Sequence, residues 1–360
     1  MAATIEMPAT RRPIVVAPMA GGPSTPDLVV AAGEAGALGM LAAGYKRPAD
    51  LIAEIADVRE RFTGPFGVNL FVPADASCAP ERVDSDSAAT GVADAEGRDR
   101  ADRVAVEAFR DLLVQAAPDV HVPTPDWHDR DHYEDKLDIV EAARVAVVSF
   151  TFGCPQPHVV ERLHEAGICV LVTVTTEEEA HTAVAAGADA LVVQGYEAGG
   201  HRGTHRVTDA PNQLDHLALL PMMTDVGVPL IAAGGITTAG DTRRALGAGA
   251  VAVQAGTTFL LADEAGTTAA TRMGLTDPRL GSCVTRAFSG RPARGLRNGF
   301  VDRFDALAPA VYPAVDQLTK PLRARAAQRG DIDGVSIWAG AGWRAAREAP
   351  AADIVDSLTP

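Results

Sequence analysis

The chain reads Ala-Leu-Val-Val-Gln-Gly-Tyr-Glu-Ala-Gly-Gly-His-Arg-Gly from Ala190 to Gly203. Its first four residues form a short apolar run that is typical of a buried strand, and a glycine-dense turn follows directly. Such a turn exposes backbone N–H groups without side-chain cover, so a phosphate can approach it closely. The same turn carries His201, whose imidazole can transfer protons or form hydrogen bonds. The stretch therefore predicts a strand end at which a ligand binds.

Two later apolar runs end in turns of the same kind. Residues 229–236 read Pro-Leu-Ile-Ala-Ala-Gly-Gly-Ile, and residues 251–258 read Val-Ala-Val-Gln-Ala-Gly-Thr-Thr. Helix-length segments separate the three runs, which is the spacing of successive βα units in a parallel barrel. The last two strand-end turns of such a barrel usually hold a phosphate, and a following helix N terminus would add a favourable potential. The residues that we expect to hold it are Gly234, Gly235, Gly256 and Thr257.

Five more strands are predicted upstream, which brings the total to eight. Helical segments alternate with them, such as Pro26–Gly36, which opens with a Thr-Pro-Asp start signal, and Pro48–Phe62, which has one apolar face. Eight strand–helix repeats close as a TIM (β/α)₈ barrel, an α/β fold. The five upstream strands are Ile14–Pro18, Leu38–Leu41, Phe66–Val72, Val145–Phe150 and Cys169–Thr173.

Two long segments interrupt this alternation. The barrel needs about 250 residues, whereas the chain has 360. We predict insertions over the C-terminal, active-site face at residues 74–143 and 269–335, which leaves barrel segments 1–73 and 144–268 and a final barrel helix within 336–360. In the first insertion, the polar, acidic stretch Ser85–Asp102 predicts a mobile surface loop, followed by a helix over Arg103–Ala116. His121 and His132 of this insertion are candidates to line the pocket, although both could equally be solvated loop residues.

Composition narrows the functional class. The chain is 47% hydrophobic, so it can bury a sizeable core, and its net charge of −15 disfavours nucleic acid as a partner. The four cysteines lie far apart without a CxxC pair, and no apolar run reaches the roughly 20 residues of a membrane span. We therefore expect a cytoplasmic protein without a membrane partner, and the sequence leaves open whether it forms a homo-oligomer.

His205, four residues after His201, has no carboxylate to complete a ligand set, so we predict no metal and place its side chain beyond the turn.

Motifs along nearly the whole chain resemble those of the nitronate monooxygenases, once called 2-nitropropane dioxygenases, and specifically their class I enzymes. Each motif alone is weak evidence, but the resemblance rests on their order and spacing. The motifs are Ala17–Gly22, Phe66–Phe71, Val148–Pro155, Gln194–Gly203, Ala232–Ile236, Gln254–Thr257, Arg286–Arg294 and Ser336–Gly340.

This resemblance implies an FMN cofactor at the strand ends, with His201 as the catalytic residue. It would act as a base toward a carbon acid, or hold a nitronate through imidazolium charge or a hydrogen bond. Asn69 and Gln194 would bond flavin or substrate, although Asn69 could instead cap the next turn. The implied flavin-binding set is Met19, Ala20, Asn69, Gln194, Gly199, Gly200, Gly234, Gly235, Gln254, Ala255, Gly256 and Thr257.

The implied reaction is oxidation of small-molecule alkyl nitronates, such as propionate 3-nitronate, by O₂. Its products would be a carbonyl compound and nitrite, formed through a flavin semiquinone. Two alternatives share the barrel: an FMN-dependent NADH enoyl-thioester reductase and a quinone reductase. A flavin-binding or phosphate-binding module without catalysis is a further alternative from a different class.

Overall fold

The computed structural model describes residues 5–78 and 91–360. Its strands are β1 (Ile14–Val16), β2 (Gly39–Ala42), β3 (Phe66–Phe71), β4 (Val147–Thr151), β5 (Cys169–Val174), β6 (Ala190–Gln194), β7 (Gly200–His201), β8 (Leu230–Ala233), β9 (Ala252–Ala255), β10 (Ser282–Thr285) and β11 (Ala293–Leu296). Its α-helices are α1 (Pro26–Glu34), α2 (Pro48–Arg61), α3 (Gly91–Ala116), α4 (Tyr133–Ala143), α5 (Pro157–Glu165), α6 (Glu177–Ala185), α7 (His216–Leu219), α8 (Ala239–Gly247), α9 (Ala269–Thr276), α10 (Gly299–Phe304), α11 (Ala314–Gln328) and α12 (Ala351–Leu358).

Eight parallel strands form the barrel, in the order β1-β9-β8-β6-β5-β4-β3-β2. The ring closes where Val16 N donates to Leu38 O and Leu38 N donates to Ile14 O, both at 2.9 Å. Strands buried on both faces carry continuous apolar runs, as β5 does. The predicted (β/α)₈ barrel and its eight strands are therefore confirmed.

Local signals start the helices around the barrel. The Thr25 hydroxyl accepts from Leu28 N at the start of α1, and the Thr176 hydroxyl accepts from Glu179 N at the start of α6. Helix α4 packs against α2 and β3, so the end of segment 74–143 belongs to the outer ring of helices. Helix α12 packs between α1 and α8, which is the eighth outer position. The remaining boundaries between barrel and insertions stay predictions.

The predicted loop over Ser85–Asp102 is wrong for its second half. Residues 79–90 lie outside the described residues, but α3 already begins at Gly91. Charged residues can support a solvated helix through i,i+4 pairs, as Arg103 Nε does with Asp99 Oδ2 at 2.9 Å. Val106, Phe109 and Leu113 anchor the helix in a buried cluster, which polar composition alone did not reveal.

A second small core covers the C-terminal end of the barrel. There, α3 packs against α11, and a three-stranded antiparallel sheet has the order β10-β11-β7. Strand β7 carries His201, which pairs with Ala293 of β11. The sheet therefore holds the histidine of the glycine-dense turn against the second long segment. None of the helices over residues 5–78 and 91–360 is long and apolar enough to cross a membrane.

Candidate active site

A cavity of about 440 Å³ lies where the barrel strands end. Strand ends, the glycine turns and α11 all contribute to its wall. The structure brings every predicted site residue to this one cavity: Met19, Ala20, Asn69, Gln194, Gly199, Gly200, His201, Gly234, Gly235, Gln254, Ala255, Gly256 and Thr257.

The two histidines of the first long segment are not among the lining residues. His121 is exposed, and His132 precedes α4 with its Nδ1 3.6 Å from a carboxylate oxygen of Asp135. Both side chains therefore fit the solvated alternative.

Asn69 uses one end of its amide to join β3 to β4. Its Oδ1 accepts from Ser149 Oγ at 2.8 Å and from Thr151 Oγ1 at 3.0 Å. The described residues offer no acceptor to Nδ2, so the hydrogens of this group are available to a ligand. The side chain therefore presents a hydrogen-bond donor at the cavity wall rather than a cap for its own turn.

Gln194 uses both ends of its amide within the protein. Its Nε2 donates to His201 O at 3.1 Å, and its Oε1 accepts from Gly203 N at 2.9 Å. Beneath the turn, the buried guanidinium of Arg202 donates to the carbonyl oxygens of Gly195 and Gln194. These bonds hold the histidine-bearing turn in one conformation.

His201 stands in an aromatic wall. Its ring centroid lies 5.3 Å from that of Trp338, 5.5 Å from Phe152 and 5.9 Å from Tyr312. Its Nε2 lies 2.8 Å from Ser289 Oγ, while its Nδ1 has no hydrogen-bond partner in the described part of the chain. Nδ1 is therefore the ring nitrogen left for a ligand in the cavity.

The imidazole of His201 is neutral at pH 7. Burial, followed by the positive charges of Arg291 and Arg323, lowers the pKa of His201 to about 3. A neutral ring cannot hold an anion by its own charge, so only a hydrogen bond remains for that role. A group with this pKa is also a weak base near pH 7.

The turns predicted to hold phosphate have the backbone shape of a ligand cradle. Gly234 and Gly235 follow one another at φ +96° and +72°. A Cβ built on Gly234 would lie 2.8 Å from Ala198 N, so only glycine fits there. Thr257 Oγ1 accepts from Gly340 N at 2.9 Å, and its own hydrogen stays available to donate.

The contribution of a helix N terminus at α8 stays a prediction, because a carboxylate shares that end of the helix. Asp241 Oδ2 accepts from Thr237 N at 2.9 Å and from Thr238 N at 2.8 Å, so a carboxylate already caps this helix. The glutamate of the first glycine-dense turn, Glu197, also directs its carboxylate toward Gly235. A phosphate at Gly235 requires this flexible side chain to turn aside.

Sequence reasoning missed much of the cavity wall. Tyr45 and Phe152 line it with left-handed backbones, at φ +66° and +75°, which no residue pattern indicates. Lys320 and Arg323 of α11 line it as well, and Arg323 pairs with Asp316 at 2.6 Å. The available signal was the amphipathic pattern of α11 in the second long segment.

His205 is buried, which corrects its expected position beyond the turn. Its Nε2 lies 3.1 Å from Thr173 O, and its backbone N–H donates to Glu179 Oε1 at 2.8 Å. It is therefore a packing residue beneath the turn. Across residues 5–78 and 91–360, no group of three or more His, Cys, Asp or Glu side chains could hold a metal ion.

The closed parallel barrel, with a cavity at its C-terminal strand ends, has the architecture of the TIM-barrel enzymes. The family model "Nitronate monooxygenase" matches residues 6–360. The nitronate monooxygenase of Pseudomonas aeruginosa is 39% identical over 357 residues, which cover 97% of this chain and 95% of that protein. The chain therefore belongs to the nitronate monooxygenase family, a family of flavin-dependent oxidoreductases.

Solved structures agree with this assignment. Nitroalkane oxidase from Streptomyces ansochromogenes is 42% identical and superposes with a TM-score of 0.85, covering 97% of this chain and 95% of the other. FabK from Thermotoga maritima has a TM-score of 0.71 over 97% of this chain and 92% of its own, at 24% identity. The second likeness concerns the fold alone.

Proposed function

We propose that this protein binds FMN and uses O₂ to oxidise alkyl nitronates, such as propionate 3-nitronate, to a carbonyl compound and nitrite. One observation carries the proposal beyond family membership: a neutral histidine presents Nδ1 to the cavity, where Asn69 presents amide hydrogens. Hydrogen-bond donors without a counter-charge suit an anion that arrives already deprotonated.

The weak basicity of His201 favours a nitronate over its parent nitroalkane. A nitroalkane must lose a carbon-bound proton to a base before it can react in this way, and efficient bases have a pKa near the working pH. The pKa of His201, at about 3, lies far below that range. The nitronate requires no such step, so His201 needs only to hold and orient it.

The cavity fits FMN in size and donor chemistry. Its volume of about 440 Å³ lies within the range of cofactor pockets. A Cβ built on Gly200 would meet no atom within 4 Å, so this glycine faces open space and lets a flat ring approach the backbone. The phosphate would lie at Gly234, Gly235, Gly256 and Thr257, and the ring near Met19, Ala20, Asn69, Gly199, Gly200, Gln254 and Ala255.

Bound FMN supplies the electron transfer. The chain's own residues bind, orient and shield the substrate. The single hydrogen of the Ser289 hydroxyl can go to Arg291 O at 3.2 Å or to His201 Nε2 at the shorter distance of 2.8 Å; when it goes to Nε2, Nδ1 carries the hydrogen that faces the ligand. Gln194 would then support this geometry by fixing the backbone of the turn rather than by touching the flavin. Phe152, Tyr312 and Trp338 keep water away from one side of the imidazole.

The described cysteines, Cys78, Cys154, Cys169 and Cys283, are all free thiols. Free thiols persist in reducing compartments, which supports a cytoplasmic location within the same proposal.

Aerobic turnover tests the proposed reaction. The protein as purified, supplemented with FMN, is mixed with propionate 3-nitronate, and oxygen uptake and nitrite release are followed together. We expect both signals with the nitronate and neither with NADH alone. NADH oxidation coupled to reduction of an enoyl thioester, without nitrite release, would instead establish the reductase alternative. Retention of flavin without either activity would indicate a binding module.

A further inference from the structure

Three buried arginines surround the strand that carries His201. Arg202, Arg291 and Arg294 are 0%, 4% and 8% exposed. None of them forms an ion pair with a carboxylate of residues 5–78 or 91–360, and the groups that accept their hydrogen bonds are neutral carbonyl and hydroxyl oxygens. Buried charges are usually paired, so unpaired cations at this position in a chain of net charge −15 need an explanation.

Arg291 is the unpaired cation most directly connected to His201. Its guanidinium carbon lies 4.2 Å from the ring centroid of Phe152 and 5.5 Å from that of Tyr312. These are two of the rings that contact the imidazole. Arg291 Nη1 donates to Thr204 O at 2.6 Å, which fixes the guanidinium in place.

A hydrogen-bonded link joins the same loop to the imidazole. Ser289 Oγ lies 2.8 Å from His201 Nε2, accepts from Arg291 N at 3.3 Å and lies 3.2 Å from Arg291 O. The backbone of Arg291 therefore positions the hydroxyl that bonds the histidine, while its side chain supplies the nearby charge.

We propose that Arg291 is a positioning residue that acts through His201: its positive charge adds to burial in disfavouring the imidazolium, so that Nδ1 remains a hydrogen-bond group for an anionic ligand. The inference rests on the proposed function for the identity of that ligand. The neutral state itself is a property of the protein without substrate.

Other charged groups near His201 do not replace Arg291. From α11, Arg323 is neutralised by Asp316 at 2.6 Å, and Lys320 lines the cavity beyond it. From the segment before α11, Tyr312 is buried, and its raised pKa keeps its phenol neutral. On β11, Arg294 faces Gly200 but directs its Nε to Tyr196 O at 2.9 Å. Burial lowers the pKa of Arg291 to about 10, and the charges of Glu179 and Asp209 oppose that shift without forming an ion pair with its guanidinium, so Arg291 stays charged at pH 7.

The test reads the protonation of His201 directly. The protein as purified, without added substrate, is labelled with ¹⁵N-histidine and titrated by NMR between pH 4 and 8, and His201→Asn identifies the resonance. In the wild-type protein we expect no protonation of His201 above pH 4, because its pKa is about 3. In Arg291→Met, which keeps much of the side-chain volume, the midpoint should rise by about one pH unit or more, so that the onset of protonation appears within this range. Because burial also contributes, the midpoint should stay below the ordinary value.

Arg291→Lys is the matched variant, since it keeps the charge but loses the planar fork that bonds Thr204. Like the wild type, Arg291→Lys should show no protonation of His201 above pH 4. The same result is expected for Arg110→Met, which removes an arginine of α3 that donates to the carbonyls of Val122 and Pro123. In Arg291→Met, an acid limb should appear in the pH profile of kcat/KM at the new midpoint, while Arg110→Met leaves the profile unchanged.

Two results would overturn the proposal. One is a wild-type His201 that titrates near its ordinary pKa of about 6.5. The other is an equal shift in Arg291→Met and Arg291→Lys, which would assign the effect to packing. Because the titration needs no turnover, a protein that releases no nitrite would reject the proposed reaction and still decide the role of Arg291. If Arg291→Met fails to fold, an unchanged Arg291→Lys supports the charge and a shifted one rejects it.

Discussion

Replacing His201 separates its hydrogen bond from every other role. Leucine at this position removes both ring nitrogens and keeps an apolar side chain in the aromatic wall. Asparagine places an amide nitrogen close to where Nδ1 stands but cannot reach Ser289 as Nε2 does. If Nδ1 donates to the nitronate, the His201→Asn variant retains part of the activity and the His201→Leu variant does not.

The expected loss of activity follows from the strength of the hydrogen bond between His201 and the nitronate. His201 is neutral, so the bond joins a neutral donor to a charged acceptor, which is worth about 1.5–3 kcal/mol. Loss of that bond lowers kcat/KM by about 10-fold to 150-fold in His201→Leu, since about 1.4 kcal/mol corresponds to a factor of ten. For His201→Asn we expect kcat/KM within about tenfold of wild type, because one donor remains.

Steady-state nitrite release, normalised to bound FMN, measures the effect. FMN content should stay close to wild type in both variants, because the proposed phosphate turns follow β8 and β9 rather than β7. His205→Asn is the matched control: His205 is buried beneath the same turn, so its replacement should lower the melting temperature but change kcat/KM less than about threefold. Equal losses in His201→Leu and His201→Asn would refute the hydrogen-bond role, and joint loss of flavin would make His201 structural.

Three further outcomes are expected. Gly235→Ala, which forces a Cβ against Glu197 at φ +72°, should weaken FMN binding at least about tenfold in a fluorescence titration, whereas Gly227→Ala, at φ +80° with open space around it, should not. Asn69→Leu should also weaken FMN binding, by about tenfold, because it removes the free amide donor. Urea unfolding should show stability falling below about pH 6.5. Burial lowers the pKa of His201 and of His205, so the unfolded chain takes up more protons in acid.

The sequence predicted the barrel because its signals are local. Each barrel strand is a short apolar run, and several helices begin at a cap or proline that can be recognised in the sequence, such as Thr25 and Pro26 at the start of α1. The glycine turns were equally easy to predict, since a glycine pair such as Gly234 and Gly235 usually forms a turn with left-handed backbone angles. The phosphate turns and His201 were predicted from such local features, whereas Met19, Ala20, Asn69 and Gln194 were implied by the family resemblance; all of them line one cavity.

The electrostatics of the site could not be read in this way. Whether His201 is charged depends first on its burial and then on Arg291 and Arg323, which lie far along the chain and reach it only through the folding of the second long segment. The buried position of His205 likewise depends on Thr173 of a neighbouring strand. Helix α3 was shortened in the prediction because residues 91–102 are polar and charged, a composition that a solvated helix shares with a surface loop.

Anaerobic mixing tests the central claim most directly. The protein as purified, with bound flavin, is mixed without O₂ with propionate 3-nitronate in one experiment and with NADH in another, and the flavin spectrum is recorded. The account predicts rapid conversion to the one-electron-reduced spectrum by the nitronate and no reduction by NADH. Two-electron bleaching by NADH, with an unchanged spectrum in the presence of the nitronate, would contradict it.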